Sequence, residues 1–337
     1  KPFQFLAFCF EWSAYLREGN SFFSRLPVQM DGSNNGLQHF SALMLDTVGA
    51  KLTNLAPSDA PQDVYQAVAD KVLLSVQKEA DSGSQIARGW LKWGITRKLV
   101  KRPIMILPYG GTIAAMRTYL SDMIVEGMAS GKEYPWEKRT SFVTGWKESG
   151  YLAKQINNAI GEVMRCANAV MEWIRGAAKL FAQNQLPLTW ETPSGFRVLQ
   201  NYLRVTPRRI QTMLDGAHVS MRYIDETDEV MTRRAVQGSS PNYIHSLDAA
   251  HLTHTVLSAC EQGVDDLMVI HDCFGVHAAN AGNLSRILRK EFIEIHLPHR
   301  LQNLKLQLER YGPELPDVPE RGTFDINLVN QSEYLFS

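Results

Sequence analysis

Two aspartates are the first residues whose surroundings could support chemistry. Asp31 closes the run LPVQMD and is followed by Gly32-Ser33-Asn34-Asn35-Gly36, while Asp272 lies in VIHDCFG, between an apolar run entering it and another leaving it. Both stand where an extended segment stops. Two carboxylates at the ends of adjacent strands can hold two magnesium ions ~3.5–4 Å apart, one lowering the pKa of an attacking hydroxyl and the other stabilising a leaving oxygen. An Asp where a strand gives way to a turn is more often a turn residue than a catalytic one, so neither position carries that reading alone.

The segment between them that strengthens it is TRKLVKRPIMILPYGG, residues 96–111. On a helix Arg97 and Lys101 project from one face about one turn apart, as a clamp on a triphosphate requires. Tyr109 follows near the same side, at the Gly110-Gly111 terminus. Charge neutralisation and positioning are most of what a protein contributes to phosphoryl transfer. A solvated basic face beside a core tyrosine fits the same spacing, and Pro103 and Pro108 should kink or end the helix.

These residues need elements to hold them. Helical periodicity runs over 2–17, where a buried amphipathic helix is expected, and a short strand covers 26–31. A helix follows from Gly36 to Asp46. Helical patterns dominate from about 61 to 185, broken at 107–112 and 130–135, so a long helical block separates the two aspartates. Residues 186–202 read as a hairpin around Pro193-Ser194-Gly195, and 265–279 as a second hairpin with His271-Asp272 at its tip. NLSRILRKEFIEIHL is helical, and an apolar tail ends in Tyr334-Leu335-Phe336-Ser337. The sheet is therefore expected to draw on both ends of the chain.

Bulk composition narrows the class without naming it. In 337 residues, 45% hydrophobic and 21% charged, there is enough apolar material for two or three subdomains and no sign of a disordered or fibrous chain. The 35 basic residues equal the 35 acidic ones, so contact with nucleic acid must come from local stripes. One such stripe is Arg88, Lys92, Arg97, Lys98, Lys101 and Arg102. A looser group is Arg204, Arg208, Arg209, Arg233 and Arg234, which reads equally as a solvated helix face. No helix-turn-helix or zinc finger is visible, so sequence-specific base reading is not indicated. Cys9, Cys166, Cys260 and Cys273 form no C-x-x-C pair and suit reduced thiols in a cytosol. His251/His254 and His296/His299 have helical ligand spacing, yet read as surface or core histidines. No apolar stretch is long enough to span a bilayer.

The assembled pattern resembles the single-subunit RNA polymerases of bacteriophages and mitochondria. DGSNNGLQHFSAL at 31–43 looks like that family's first palm motif, RKLVKRPIMILPYGG at 97–111 its fingers motif, and VIHDCFG at 269–275 its second palm motif. SSPNYIHSLDAAHL at 239–252 and the tail also resemble family segments, in order over essentially the whole chain. The resemblance implies an α+β right-hand polymerase fold, with an antiparallel palm sheet and a mainly helical fingers insertion. Residues 1–60 would form the first part of the palm, 61–245 the fingers, and 246–337 the rest of the palm with the tail.

By the same resemblance Asp31 and Asp272 hold two Mg2+ ions, with the Gly32 carbonyl a further ligand. Arg97 and Lys101 bind the triphosphate, Tyr109 sits under the ribose and templated base, and His245 lies near the ribose hydroxyl. His271, beside the catalytic aspartate, approaches the RNA 3′ end. For His245 a hydrogen-bonded loop histidine after Pro241-Asn242 is the competing reading. Gln38 and His39 receive no definite role.

The function implied is DNA-directed RNA synthesis, with DNA template, nascent RNA and NTPs as partners. A related DNA polymerase and a non-catalytic nucleic-acid-binding protein are the alternatives. In those DNA polymerases a glutamate five residues after the first aspartate blocks a 2′-hydroxyl, and a glutamate follows the second. Here these positions are Gly36 and Cys273. Tyr109 and His245 supply polar groups suited to a 2′-hydroxyl. Five residues after Tyr109 stands Ala114, where several relatives have an aromatic, so their stacking contact is not assumed. Full-length family members carry a promoter-binding region and thumb before the palm. Either those parts have been lost here or a second protein chain supplies them, as in heterodimeric phage enzymes; the second chain is expected, with the host cytoplasm as the location if the protein is phage-encoded.

Overall fold

The computed structural model describes residues 2–137 and 145–336, leaving Ser337 of the tail outside. The architecture is mixed helix and antiparallel sheet, as expected for an α+β chain.

Helix α1 (Pro2–Glu18) forms where periodicity places it, but it is not buried: none of its residues is, and Phe3, Phe5 and Phe10 are each more than two-thirds exposed. Its apolar residues run around the whole helix instead of along one stripe, a pattern that normally demands cover on all sides. No other part of the described chain supplies that cover. Strand β1 (Val28–Asp31) follows, then α2 (Asn35–Met44), all ten residues of which are buried, and the short α3 (Thr47–Leu52). The helical block comprises α4 (Val64–Asp81), α5 (Gln85–Trp93), α6 (Arg97–Ile106), α7 (Ile113–Ala129), α8 (Trp146–Val163) and α9 (Arg165–Gln183). Asp63 and Ser84 cap the starts of α4 and α5 by accepting backbone N–H groups. Val68, Val72, Trp90, Ile104, Ile156 and Val170 from this block fill one continuous core with Leu37 and Phe40 of α2.

The hairpin expected over 186–202 is β2 (Leu188–Glu191) paired with β3 (Arg197–Gln200). Next come β4 (Leu203–Leu214) and β5 (Ala217–Val230), an unexpected ribbon, antiparallel and largely exposed. Arg204, Arg208 and Arg209 therefore lie on a strand and not on a helix face. The ribbon turns at Asp215-Gly216, both with positive φ (47° and 79°), between the paired residues Leu214 and Ala217. A two-residue Asp-Gly turn of this hand matches the twist of the flanking strands.

Helix α10 (Thr232–Glu261) is one 30-residue helix with Pro241 inside it, so His245 is helical and not in a loop. Strands β6 (Leu267–Ile270) and β7 (Cys273–Val276) form the hairpin around His271-Asp272, and α11 (Ala281–His296) and α12 (Arg300–Glu309) complete the chain before its tail. The main sheet has the order β1-β7-β6, all antiparallel, and Gly32 bridges to Phe336. Both chain ends thus build it. Phe274 and Val276 pack from this sheet onto Leu284, Leu288 and Phe292 of α11 and onto Phe336.

Candidate active site

Asp31 ends β1 directly opposite Cys273 in the register, and Asp272 occupies the turn immediately before Cys273. The Gly32 N–H donates to the Asp272 carbonyl at 3.2 Å, stitching the two segments together. Two carboxylates distant in sequence therefore lie at the same end of the sheet. The β6–β7 turn requires His271 to take φ +55°, which fits the first central position of a two-residue hairpin. Burial raises the Asp272 pKa, with Asp31 and Asp248 adding like-charge repulsion. A Cβ on Gly32 would lie 3.2 Å from Gln38 Oε1 and 3.5 Å from Asp272 Oδ2, so only glycine leaves this corner open.

Gln38 supplies an unexpected detail. Its amide NH2 donates to the carbonyls of Thr53 and Leu335, each at 3.0 Å, which fixes the amide and turns Oε1 towards Gly32. That oxygen, like Asn35 Oδ1, is buried without a protein donor. Unsatisfied acceptors of this kind call for a donor such as an ordered or ion-bound water.

The basic pair also arrives here. Arg97 and Lys101, on the first turns of α6, both lie over the Tyr65 ring, 5.1 and 5.5 Å from its centroid. Arg97 is ion-paired with Asp63, whose other oxygen caps α4. Tyr65 is held in turn by Asn34, which donates from Nδ2 to its hydroxyl at 3.1 Å. Asn34 also caps α2. Three residues after Asp31, the chain is thereby tied to the platform on which both cations rest. Tyr65, Asp63 and Asn34 were absent from the sequence-based site, because their partners lie tens of residues away and no local pattern marks them.

Tyr109 reaches the site through the end of α6. The helix passes through Pro103 and stops before Pro108. Gly111 N–H bonds the Ile106 carbonyl at 2.7 Å and Gly110 N–H that of Leu107 at 3.2 Å, a Schellman closure with Gly110 at φ +80°. A Cβ at Gly110 would lie 2.9 Å from Pro241 Cγ and 3.2 Å from the Gln237 carbonyl, so the turn sits directly on α10 where Pro241 interrupts the helix bonding. One turn further along α10, His245 stacks obliquely on Tyr109, ring centroids 4.7 Å apart. The Tyr109 hydroxyl hydrogen-bonds the Gly36 backbone, while burial and the nearby Asp248 and Asp272 carboxylates push its pKa up. It stays a neutral phenol. A Cβ at Gly36 would lie 2.7 Å from Pro108 Cβ and 3.1 Å from the Tyr109 hydroxyl oxygen. Burial and His271 lower the His245 pKa.

The arrangement joins a carboxylate pair, a two-cation platform and a tyrosine–histidine pair, the parts needed to transfer a phosphoryl group onto a positioned hydroxyl. The family model for DNA-dependent RNA polymerase matches residues 1–314. The chain belongs to that family. Among its curated relatives, a DNA-directed RNA polymerase of an Enterobacteria phage is 32% identical over the whole of this chain and 42% of its own length. DNA-directed RNA polymerase 2, chloroplastic/mitochondrial, of Arabidopsis thaliana is 34% identical over the whole chain and 33% of its own length. The mitochondrial DNA-directed RNA polymerase of Homo sapiens is 33% identical, again over the whole chain but 28% of its own length. This member of the RNA polymerase family thus spans between about a quarter and two-fifths of those relatives. No helix among the described residues is long and apolar enough to cross a membrane, and none of the four cysteines forms a disulfide. His251 and His296 lie in the core, whereas His254 is partly exposed beside Glu291.

Proposed function

We propose that this chain is the catalytic part of a DNA-directed RNA polymerase, transferring nucleoside monophosphate from an NTP to the RNA 3′ end with release of pyrophosphate. The observation that carries the reading is the meeting of Asp31 and Asp272 at one end of the sheet, beside Arg97 and Lys101 on Tyr65. The sheet with its flanking helices would be the palm and the helical block the fingers, with α10 passing from one to the other.

Magnesium fits the donor set. The oxygens on offer are the Asp31 and Asp272 carboxylates and the Gly32 carbonyl, brought together by the β1–β7 pairing. That is the pattern of a hard cation held by one or two carboxylates and completed by substrate phosphates and water. The partnerless oxygens of Gln38 and Asn35 suit hydrating water around such an ion. Two bound ions would acidify the attacking 3′-hydroxyl and neutralise the departing oxygen.

The chain's own residues do the remaining work. Arg97 exchanges Asp63 for the triphosphate, and Lys101 meets the same phosphates from one turn along the helix. The neutral Tyr109 phenol and the His245 imidazole face the ribose, and Gly36 leaves the space that a 2′-hydroxyl needs. His271 stands at the primer side of Asp272. The β4–β5 ribbon presents Arg209 and Arg222 in register and is of a width that enters a DNA groove, which supports a nucleic-acid contact there.

The uncovered α1 supports a thumb-bearing protein body, in a second chain or in further sequence, as its occupant. By analogy with the phage relative, the host cytoplasm is the proposed compartment. Primer extension on a DNA template, supplied with that body, tests the reading by comparing NTPs with dNTPs. Preference for NTPs is expected. Preference for dNTPs would move the chain to the DNA polymerases, and template binding without synthesis to the non-catalytic alternative.

A further inference from the structure

One carboxylate faces the site without a part in the chemistry above. Asp248 lies one turn after His245 on the same face of α10, half-buried, and its Oδ1 accepts a hydrogen bond from Asn35 Nδ2 at 2.7 Å. Asn35 is 3% exposed and immediately precedes Gly36. This bond spans 213 positions of sequence and links the loop after Asp31 to α10. Around it the packing is tight: the Gly36 backbone meets the Tyr109 hydroxyl, Gly110 meets Pro241, and Tyr109 meets His245. The loop, the end of α6 and α10 therefore form a closed ring of contacts. Tyr109 and His245 are its ribose-facing members, and the Asp248–Asn35 bond is its one contact with a carboxylate acceptor.

The geometry points to Asp248 as a positioning residue for ribose selection, anchoring Asn35 so that Gly36 stays seated against Pro108 and Tyr109. Asp248 touches no reacting atom in this role. With the carboxylate gone, the Asn35 amide would be buried with neither its Nδ2 nor its Oδ1 satisfied, and the loop would relax towards water. Gly36 would then leave Tyr109, and the pocket would lose its distinction between a sugar with a 2′-hydroxyl and one without. Recognition built on a hydrogen-bonding site is sensitive to such loss.

This inference rests on the RNA polymerase reading, and its test separates the two. In the complete polymerase, kcat and KM for NTP and dNTP incorporation are measured for the parent, Asp248→Ala, Asp248→Asn and Asn35→Ala, with thermal melting of each variant. Asp248→Ala should lower the NTP-to-dNTP preference by roughly tenfold or more, the size of a lost charged hydrogen bond, mainly through KM for NTP. Asp248→Asn keeps an acceptor for Asn35 and should restore most of the preference. Asn35→Ala should match Asp248→Ala, and the double variant should add little. An unchanged preference in Asp248→Ala and Asn35→Ala, or an Asn variant as impaired as the Ala variant, overturns the anchoring role while leaving the polymerase reading intact. If Asp248→Ala melts before assay, the Asp248→Asn and Asn35→Ala pair decides by the same criteria. Absence of NTP incorporation by the parent enzyme rejects both.

Discussion

Gly36 is the residue on which the proposed sugar pocket would close, against Pro108 and Tyr109. A methyl group there would lie 2.7 Å from Pro108 Cβ, and Pro108 is backed by the Schellman turn and cannot swing away as a flexible chain end would. Gly36→Ala should therefore raise KM for NTP several-fold and displace Tyr109, measured by steady-state incorporation. Unaltered kinetics would show that the loop has slack. Gly110 is constrained twice, by φ +80° and by Pro241, so Gly110→Ala should cost about 1–3 kcal/mol in urea unfolding. A loss under ~0.5 kcal/mol would contradict the close approach. That Asp31, Asp272, Arg97, Lys101 and Tyr109 would gather at one candidate site was legible in sequence, because each sits within a contiguous motif whose local structure aims it. Asn34, Tyr65, Asp63 and Asp248 were not, since each acts through a partner brought near only by folding.

Among the elements, α1 and the β4–β5 ribbon stand apart because neither contributes to the shared core. Replacing Phe5 and Trp12 with glutamate removes exposed apolar surface and no buried contact. The thermal midpoint of the chain should stay within about 2 °C, as for surface substitutions generally, while association with a thumb-bearing partner fails in pull-down or sedimentation. A marked fall in the midpoint would mean that α1 packs on this chain after all. Elements with clear periodicity and short loops, such as the β2–β3 and β6–β7 hairpins, were readable beforehand. The ribbon was missed although Asp215-Gly216 marks its turn and residues 217–223 alternate apolar and polar side chains, because Pro207 and the Arg208-Arg209 pair break that period in β4, where no buried face imposes it. Helix α10 was obscured by Pro241, whose missing hydrogen bond is accommodated against Gly110. Burial of α1 was expected from its composition, which registers a need for cover and not where the cover comes from.

Across the whole molecule, three histidines from different segments meet in the core. His39 Nδ1 and His296 Nε2 lie 2.8 Å apart, and His251 Nε2 contacts the Leu288 carbonyl at 2.9 Å. Burial lowers all three pKa values, that of His251 to about 4. Their folded pKa values lie below the unfolded value, so the unfolded chain takes up protons first as pH falls. Stability should be complete above about pH 6.5 and decline steadily towards pH 4, with His251 alone accounting for roughly 3 kcal/mol at the lower limit. Urea unfolding between pH 7.5 and 5 checks this. A flat profile would mean that these rings are hydrated or charged in the native state.

The central claim is that the pairing of chain ends in one sheet creates a two-carboxylate site for RNA synthesis. It is tested most directly by magnesium-dependent NTP incorporation in Asp272→Ala beside the parent, with template binding followed by gel shift. Synthesis should fall to background in the variant while template affinity changes less than about threefold, because the substitution would remove a proposed metal ligand and leave the basic platform in place. Incorporation persisting near the parental rate in Asp272→Ala would contradict it.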